Sequence, residues 1–91
     1  MGTRIHITDR EIARAFDNED LRRMFPPILK TEQVLLLFGI AKSTLQEWIS
    51  QGRLCDTYRV RGKHRFFWRD RLIDQIFNGP EWKNNDDHEP L

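Results

Sequence analysis

Lys30 to Leu54 reads KTEQVLLLFGIAKSTLQEWISQGRL, and its punctuation decides the fold. Thr31 is the expected N-cap of a first short helix. Val34, Leu35, Leu37 and Phe38 give that helix a wide apolar face. Gly39 follows at once, where a helix that must turn off needs a left-handed residue. Ile40 then points inward. A second helix carries Leu45, Trp48 and Ile49 on one side, at spacings of three and four. Gly52 closes it. Leu45 and Trp48 fall six and nine residues after Gly39, so both wedge between two helices that cross at a tight turn. This is the pattern of a helix-turn-helix.

The flanks complete the domain. Downstream, Tyr58 and Val60 alternate with Arg59 and Arg61, Gly62 supplies a turn, and Arg65 to Trp68 return as a second strand. The alternation predicts Tyr58 and Val60 on the core side and Arg59 and Arg61 on the other face. Phe66 and Trp68 are expected to pack inward. A last helix from Arg69 to Phe77 gathers Leu72, Ile73, Ile76 and Phe77 on one face, and Asn78-Gly79-Pro80 stops it. Upstream, Thr8-Asp9-Arg10-Glu11 is a capping box that opens a helix through Ile12, Ala15 and Phe16. Asp17 to Asp20 breaks or re-caps that helix. Leu21, Met24 and Phe25 mark a second turn or short helix, which Pro26-Pro27 ends. The expected organisation is a helical extension over residues 1–27, a core domain over 28–78 and a flexible acidic tail over 79–91. The expected fold class is α+β, mainly α.

Totals narrow the function classes. The chain has 91 residues, enough for one domain. Its longest apolar run, Val34 to Phe38, is far too short to span a bilayer. The N-terminal stretch is polar and charged, so no secretory leader is expected. Cys55 is the single cysteine, which excludes an internal disulfide and fits a reducing cytoplasm. It is expected as a small, partly buried residue. His6, His64 and His88 are scattered, so no zinc-ligand spacing exists. There is no phosphate-binding glycine loop and no placeable nucleophile–base pair. No enzyme, cofactor, metal or small-molecule substrate is expected.

Charge is unevenly distributed under a net +1. Residues 42–71 hold Lys42, Arg53, Arg59, Arg61, Lys63, Arg65, Arg69 and Arg71 against Glu47, Asp56 and Asp70. Residues 72–91 hold Lys83 against Asp74, Glu81, Asp86, Asp87 and Glu89. A basic middle within a near-neutral chain is a located feature, as a binding face requires.

The order of landmarks resembles the excisionase-like winged helix-turn-helix domains of the MerR-type superfamily. LKTEQVLLLFGIAKSTLQEWISQGRL followed by YRVRGKHRFFWRDRLIDQIF carries the likeness, over about residues 29–77. In that family a leucine-threonine opens a helix ending in leucine-glycine-valine. A serine-rich helix start, a tryptophan, glycine-x-leucine, a basic hairpin and a final helix follow. This chain departs from the pattern in places. Val34 and Leu35 replace small residues, and Leu36 replaces a polar one. An exposed leucine row needs a cover, and the N-terminal Ile12, Phe16, Leu21 and Met24 are expected to supply it. Ala41 stands where a capping hydroxyl is common, so Ser43 or Thr44 is expected to cap instead. Glu47 stands where a basic residue is frequent, and Cys55 replaces a proline.

The resemblance implies double-stranded DNA as partner, for a transcriptional regulator or an excisionase-type architectural factor. The second helix would enter the major groove with Lys42, Ser43, Thr44, Gln46, Glu47 and Ser50. RVRGKHR would form a two-stranded wing, carrying Arg59, Arg61, Lys63, His64 and Arg65 to the backbone or minor groove, with Arg69 and Arg71 extending the phosphate track. One recognition helix per chain implies a homodimer or cooperative binding at adjacent sites. Trp82 is expected to pack on the body, and the acidic tail either to be simply solvated or to compete weakly with DNA for the basic face. The alternative is a protein-interaction module, with the same fold docking an acidic partner.

Overall fold

A computed structural model of the chain describes residues 6–79. Along the chain run α1 (Asp9–Ala15), α2 (Glu19–Met24), β1 (Ile28–Lys30), α3 (Thr31–Phe38), α4 (Lys42–Ser50), β2 (Tyr58–Arg61), β3 (His64–Trp68) and α5 (Arg69–Asn78). The result is a mainly helical α+β body, with a three-stranded antiparallel sheet that contains the β2–β3 hairpin. Among the described residues no helix is long and apolar enough to cross a membrane. Pro80 onward, with Trp82 and the acidic residues 83–91, lies outside the described residues.

The first helix starts as its capping box dictates. The Thr8 hydroxyl accepts from the Glu11 amide at 3.1 Å, and the Glu11 carboxylate accepts from the Thr8 amide at 3.0 Å. That backbone hydrogen bond, then the one from the Thr8 hydroxyl, holds the Glu11 pKa below its ordinary value. Asn18 re-caps the chain, its side-chain oxygen accepting from the amides of Asp20 and Leu21. Here α1 packs against α5, and Ile12, Phe16 and Phe25 join one apolar cluster with Leu29, Val34, Leu45, Leu54, Phe67, Leu72 and Ile73. Val34 shares that cluster with Ile12, Phe16 and Phe25, and Leu35 and Leu37 are half-buried against it, so only Leu36 of the leucine row stays uncovered. Leu21 and Met24 stay exposed, and Leu36 is 63% exposed.

Between β1 and α4 the chain turns as the glycine requires. Gly39 has φ 63°, and its N–H donates to the Leu35 carbonyl. The cap of α3 is one residue earlier than expected. Lys30 occupies the N-cap, and its amide donates to the Gln33 side-chain oxygen at 2.9 Å. The Gln33 side-chain Nε2 then donates to the Met24 carbonyl at 2.9 Å, which ties α3 to the end of α2. Ala41 is the N-cap of α4, and neither Ser43 nor Thr44 caps it. Val34 and Leu45 are fully buried, while Trp48 and Ile49 are half-buried against the core.

The sheet corrects two expectations. Its order is β1-β3-β2, so the hairpin gains a third strand from Ile28–Lys30. Register pairs Leu29 with Phe67 and Tyr58 with Phe67. Leu29 and Phe67 are fully buried. Phe67 is therefore the inward aromatic of β3, and Phe66 and Trp68 take the other face. In Phe66-Phe67-Trp68 every position is apolar, so alternation alone leaves two parities open, and pairing with Leu29 selects one. Val60 shares a side with Tyr58 and Phe67 but is 51% exposed, because the hairpin runs past the core. Cys55 is exposed rather than partly buried, within a turn that ends at Asp56 with φ 67°.

Candidate functional site

The hairpin and α4 enclose a groove of about 510 Å³. Lys42, Leu45 and Gln46 contribute from α4. Val60 and Gly62 to Arg65 contribute from the hairpin, and Lys30 to Glu32 with Leu35 close the base. Geometry explains the meeting. Lys42 and Gln46, one helical turn apart, flank the buried Leu45 on its groove side, and both are exposed. Burying Phe67 turns Arg65, two residues earlier on β3, toward the same side. Gly62, with φ 63°, forms the hairpin tip and leaves Lys63 and His64 exposed beside it.

Four cations, Lys30, Lys42, Lys63 and Arg65, line this groove against one carboxylate, Glu32. Ion pairs are found elsewhere: Arg22 with Asp17, Arg23 with Glu19 and Arg69 with Asp70. Arg65 is held by an aromatic ring instead. Its guanidinium carbon stands 5.4 Å from the Tyr58 ring centroid. Its buried Nε makes no hydrogen bond within the protein. Stacking on a ring orients the guanidinium without a carboxylate to neutralise it. Lys30 was legible as a charge but not as a site residue, since it reaches the groove only because β1 pairs with β3.

The remaining expected site residues are spread around the molecule. Ser43 and Glu47 are exposed on α4 outside the groove lining, and Thr44 is half-buried. The Ser50 hydroxyl donates to the Glu47 carbonyl at 2.9 Å, at the far end of the helix. Arg59 and Arg61 pair with Phe66 and His64, so they lie on the sheet face turned away from Arg65. Their guanidinium groups donate to the carbonyls of Tyr58 at 3.0 Å and Val60 at 2.8 Å. Arg71 is exposed and lines a separate cleft on that outer face.

Arg69, expected on the phosphate track, is turned into the body instead of toward solvent. It is 8% exposed. Its guanidinium donates to the Phe25 carbonyl at 2.7 Å and to the Asp70 carboxylate at 2.8 Å, and lies 4.0 Å from the Phe16 ring centroid. The charge seen in the sequence is consumed in joining the N-terminal extension to α5. Among the described residues no three His, Cys, Asp or Glu side chains gather as a metal site.

Comparison of the chain with protein-family models, with curated proteins and with solved structures gives no match.

Proposed function

We propose that the protein is a winged helix-turn-helix domain that binds double-stranded DNA without catalysis, as a small transcriptional regulator or an excisionase-type architectural factor. One observation carries the reading: Lys42 and Gln46 of α4 and Lys63, His64 and Arg65 of the hairpin line a single, net-cationic groove. A helix with its side chains is about 10–12 Å across, so α4 fits a major groove about 12 Å wide. Gln46 would form paired hydrogen bonds with an adenine edge, and Lys42 would meet a phosphate or base near the helix start. Lys63 and Arg65 would neutralise phosphates beside it, so affinity would fall with salt through counterion release. Phosphate contacts position the protein, and base contacts specify the sequence. One α4 per chain is a small reader, so a homodimer or neighbouring copies on DNA would complete a specific site.

The test begins with selection of bound sequences from random duplex DNA near physiological salt. Titrations of the selected duplex against scrambled duplex follow. Gln46→Ala is expected to lose about 1–3 kcal/mol of discrimination at one base pair while leaving scrambled DNA unaffected. Lys63→Ala is expected to weaken both duplexes alike and to reduce the salt slope by about 1. If neither change alters duplex binding, the reading fails.

A further inference from the structure

The hairpin has a second face, which the duplex reading leaves unused. Phe66 and Trp68 stand two residues apart on β3, the central strand, and so share the outer face of the sheet. Trp68 is 50% exposed, and so is Ile28, its cross-strand neighbour. Lys30 and Arg59 flank Phe66 on either side, one from each outer strand. Arg61 and His64 form the next row toward the tip, where the His64 ring lies 6.1 Å from the Phe66 ring. Arg71 and Trp68 both line a cleft of about 460 Å³. The strands contain no Asp or Glu at all.

Water-exposed aromatic surface of this extent, ringed by cations, fits an anionic ligand with flat apolar rings. We infer that the outer sheet face binds single-stranded DNA, with unpaired bases stacked on Trp68 and Phe66 and the phosphates held by Lys30, Arg59 and Arg61. The spacing supports an unpaired strand. Side chains two apart on a strand are about 6.6 Å apart, wider than the about 3.4 Å between stacked bases, so each ring receives one unstacked base. Aromatic platforms with adjacent cations are how sequence-tolerant single-strand binders work. Asp56 lines the cleft near Trp68 and repels phosphate, which directs the backbone toward the cationic tip. Lys30 borders both surfaces, and the groove and the outer face are the two sides of one hairpin. The choice of DNA over RNA rests on the duplex reading above, whereas the stacking site does not.

The experiment is fluorescence anisotropy of the full chain with a labelled oligo(dT) about 12 nucleotides long, at low salt, together with tryptophan quenching by the same oligonucleotide. Trp68→Leu, which keeps apolar bulk and removes the π face, is expected to weaken oligo(dT) binding about tenfold. Trp68→Phe is expected to retain most of the binding and to lose most of the quenching. The groove variant Lys42→Ala with Gln46→Ala is expected to bind oligo(dT) as the parent does. Should Trp68→Leu fail to fold by circular dichroism, Phe66→Leu takes its place. Three results overturn the inference: no oligo(dT) binding, a Leu variant that binds as well as the parent, or loss of binding in the groove variant alone. Tighter binding of oligo(U) than of oligo(dT) overturns the assignment to DNA. Because the groove variant is scored separately on duplex DNA, failure of the duplex reading and failure of this one give different patterns.

Discussion

Removing the Arg69 head group should unfasten the N-terminal extension from the body. The guanidinium makes a charge-assisted hydrogen bond to the Phe25 carbonyl at 2.7 Å and covers the Phe16 ring at 4.0 Å. Such a hydrogen bond is worth about 1.5–3 kcal/mol. A largely desolvated cation over a ring adds about 2 kcal/mol. The Asp70 side chain is 48% exposed, so that ion pair adds little beyond orientation. Together Arg69→Ala should cost about 3–5 kcal/mol, a large share of the about 5–15 kcal/mol that holds a small domain together. For a chain of this size that corresponds to a melting temperature lower by about 12 °C or more. Arg69→Met retains the stem on Phe16 but removes both head-group contacts, so it should lose nearly as much as Arg69→Ala, which assigns the loss to the head group. Urea unfolding followed by far-ultraviolet circular dichroism measures both. A loss below about 1 kcal/mol for Arg69→Ala would refute the clamp. A protein of unchanged stability with weakened duplex binding would return Arg69 to the phosphate track.

Further outcomes follow from the same geometry. Phe67→Ala should cost about 3–5 kcal/mol by opening a cavity beneath the sheet, and Phe66→Ala clearly less, as measured by chemical denaturation; equal losses would mean the strand parity is wrong. Gly39→Ala should cost about 1 kcal/mol or more, because φ 63° disfavours a side chain although no heavy atom lies within 4 Å of the added carbon. Glu11 has a folded-state pKa below the ordinary 4.5, so its contribution to stability is present above that value and disappears as the pH falls through the lowered one. Glu11→Gln should therefore flatten the acid limb of the stability profile, and an unaltered limb would contradict the capping geometry.

Legibility in the sequence tracked the range of the interaction. Thr8 with Glu11, Asn18 with Leu21, and Gly39 with Leu35 are contacts within five residues, and local rules found the elements they punctuate. Strand β1 was missed because three residues after two prolines have no periodicity of their own; Leu29 becomes a strand residue by pairing with Phe67 far along the chain. The same long-range pairing sets the parity of β3, which a run of three aromatics conceals. At the candidate site, Lys42, Gln46 and Lys63 followed from burial of their neighbours and from the glycine turn. Arg69 did not, since sequence reports a charge and not the carbonyl and ring that surround it. Lys30 and Val60 enter the groove through sheet registry, which no local pattern contains.

The Ile7 backbone and the Asn78 side chain exchange two hydrogen bonds, amide to carboxamide oxygen at 2.9 Å and carboxamide to carbonyl at 2.8 Å. Residues 71 positions apart are thus stitched into one seam, so Ile7 and Asn78 stand at a single doorway of the described body. A tether grafted before Ile7 and another grafted after Asn78 would emerge side by side. A short loop could join those points and let the polypeptide begin instead at the Gln51–Asp56 turn, a permuted order that would leave the hairpin and α4 covalently intact.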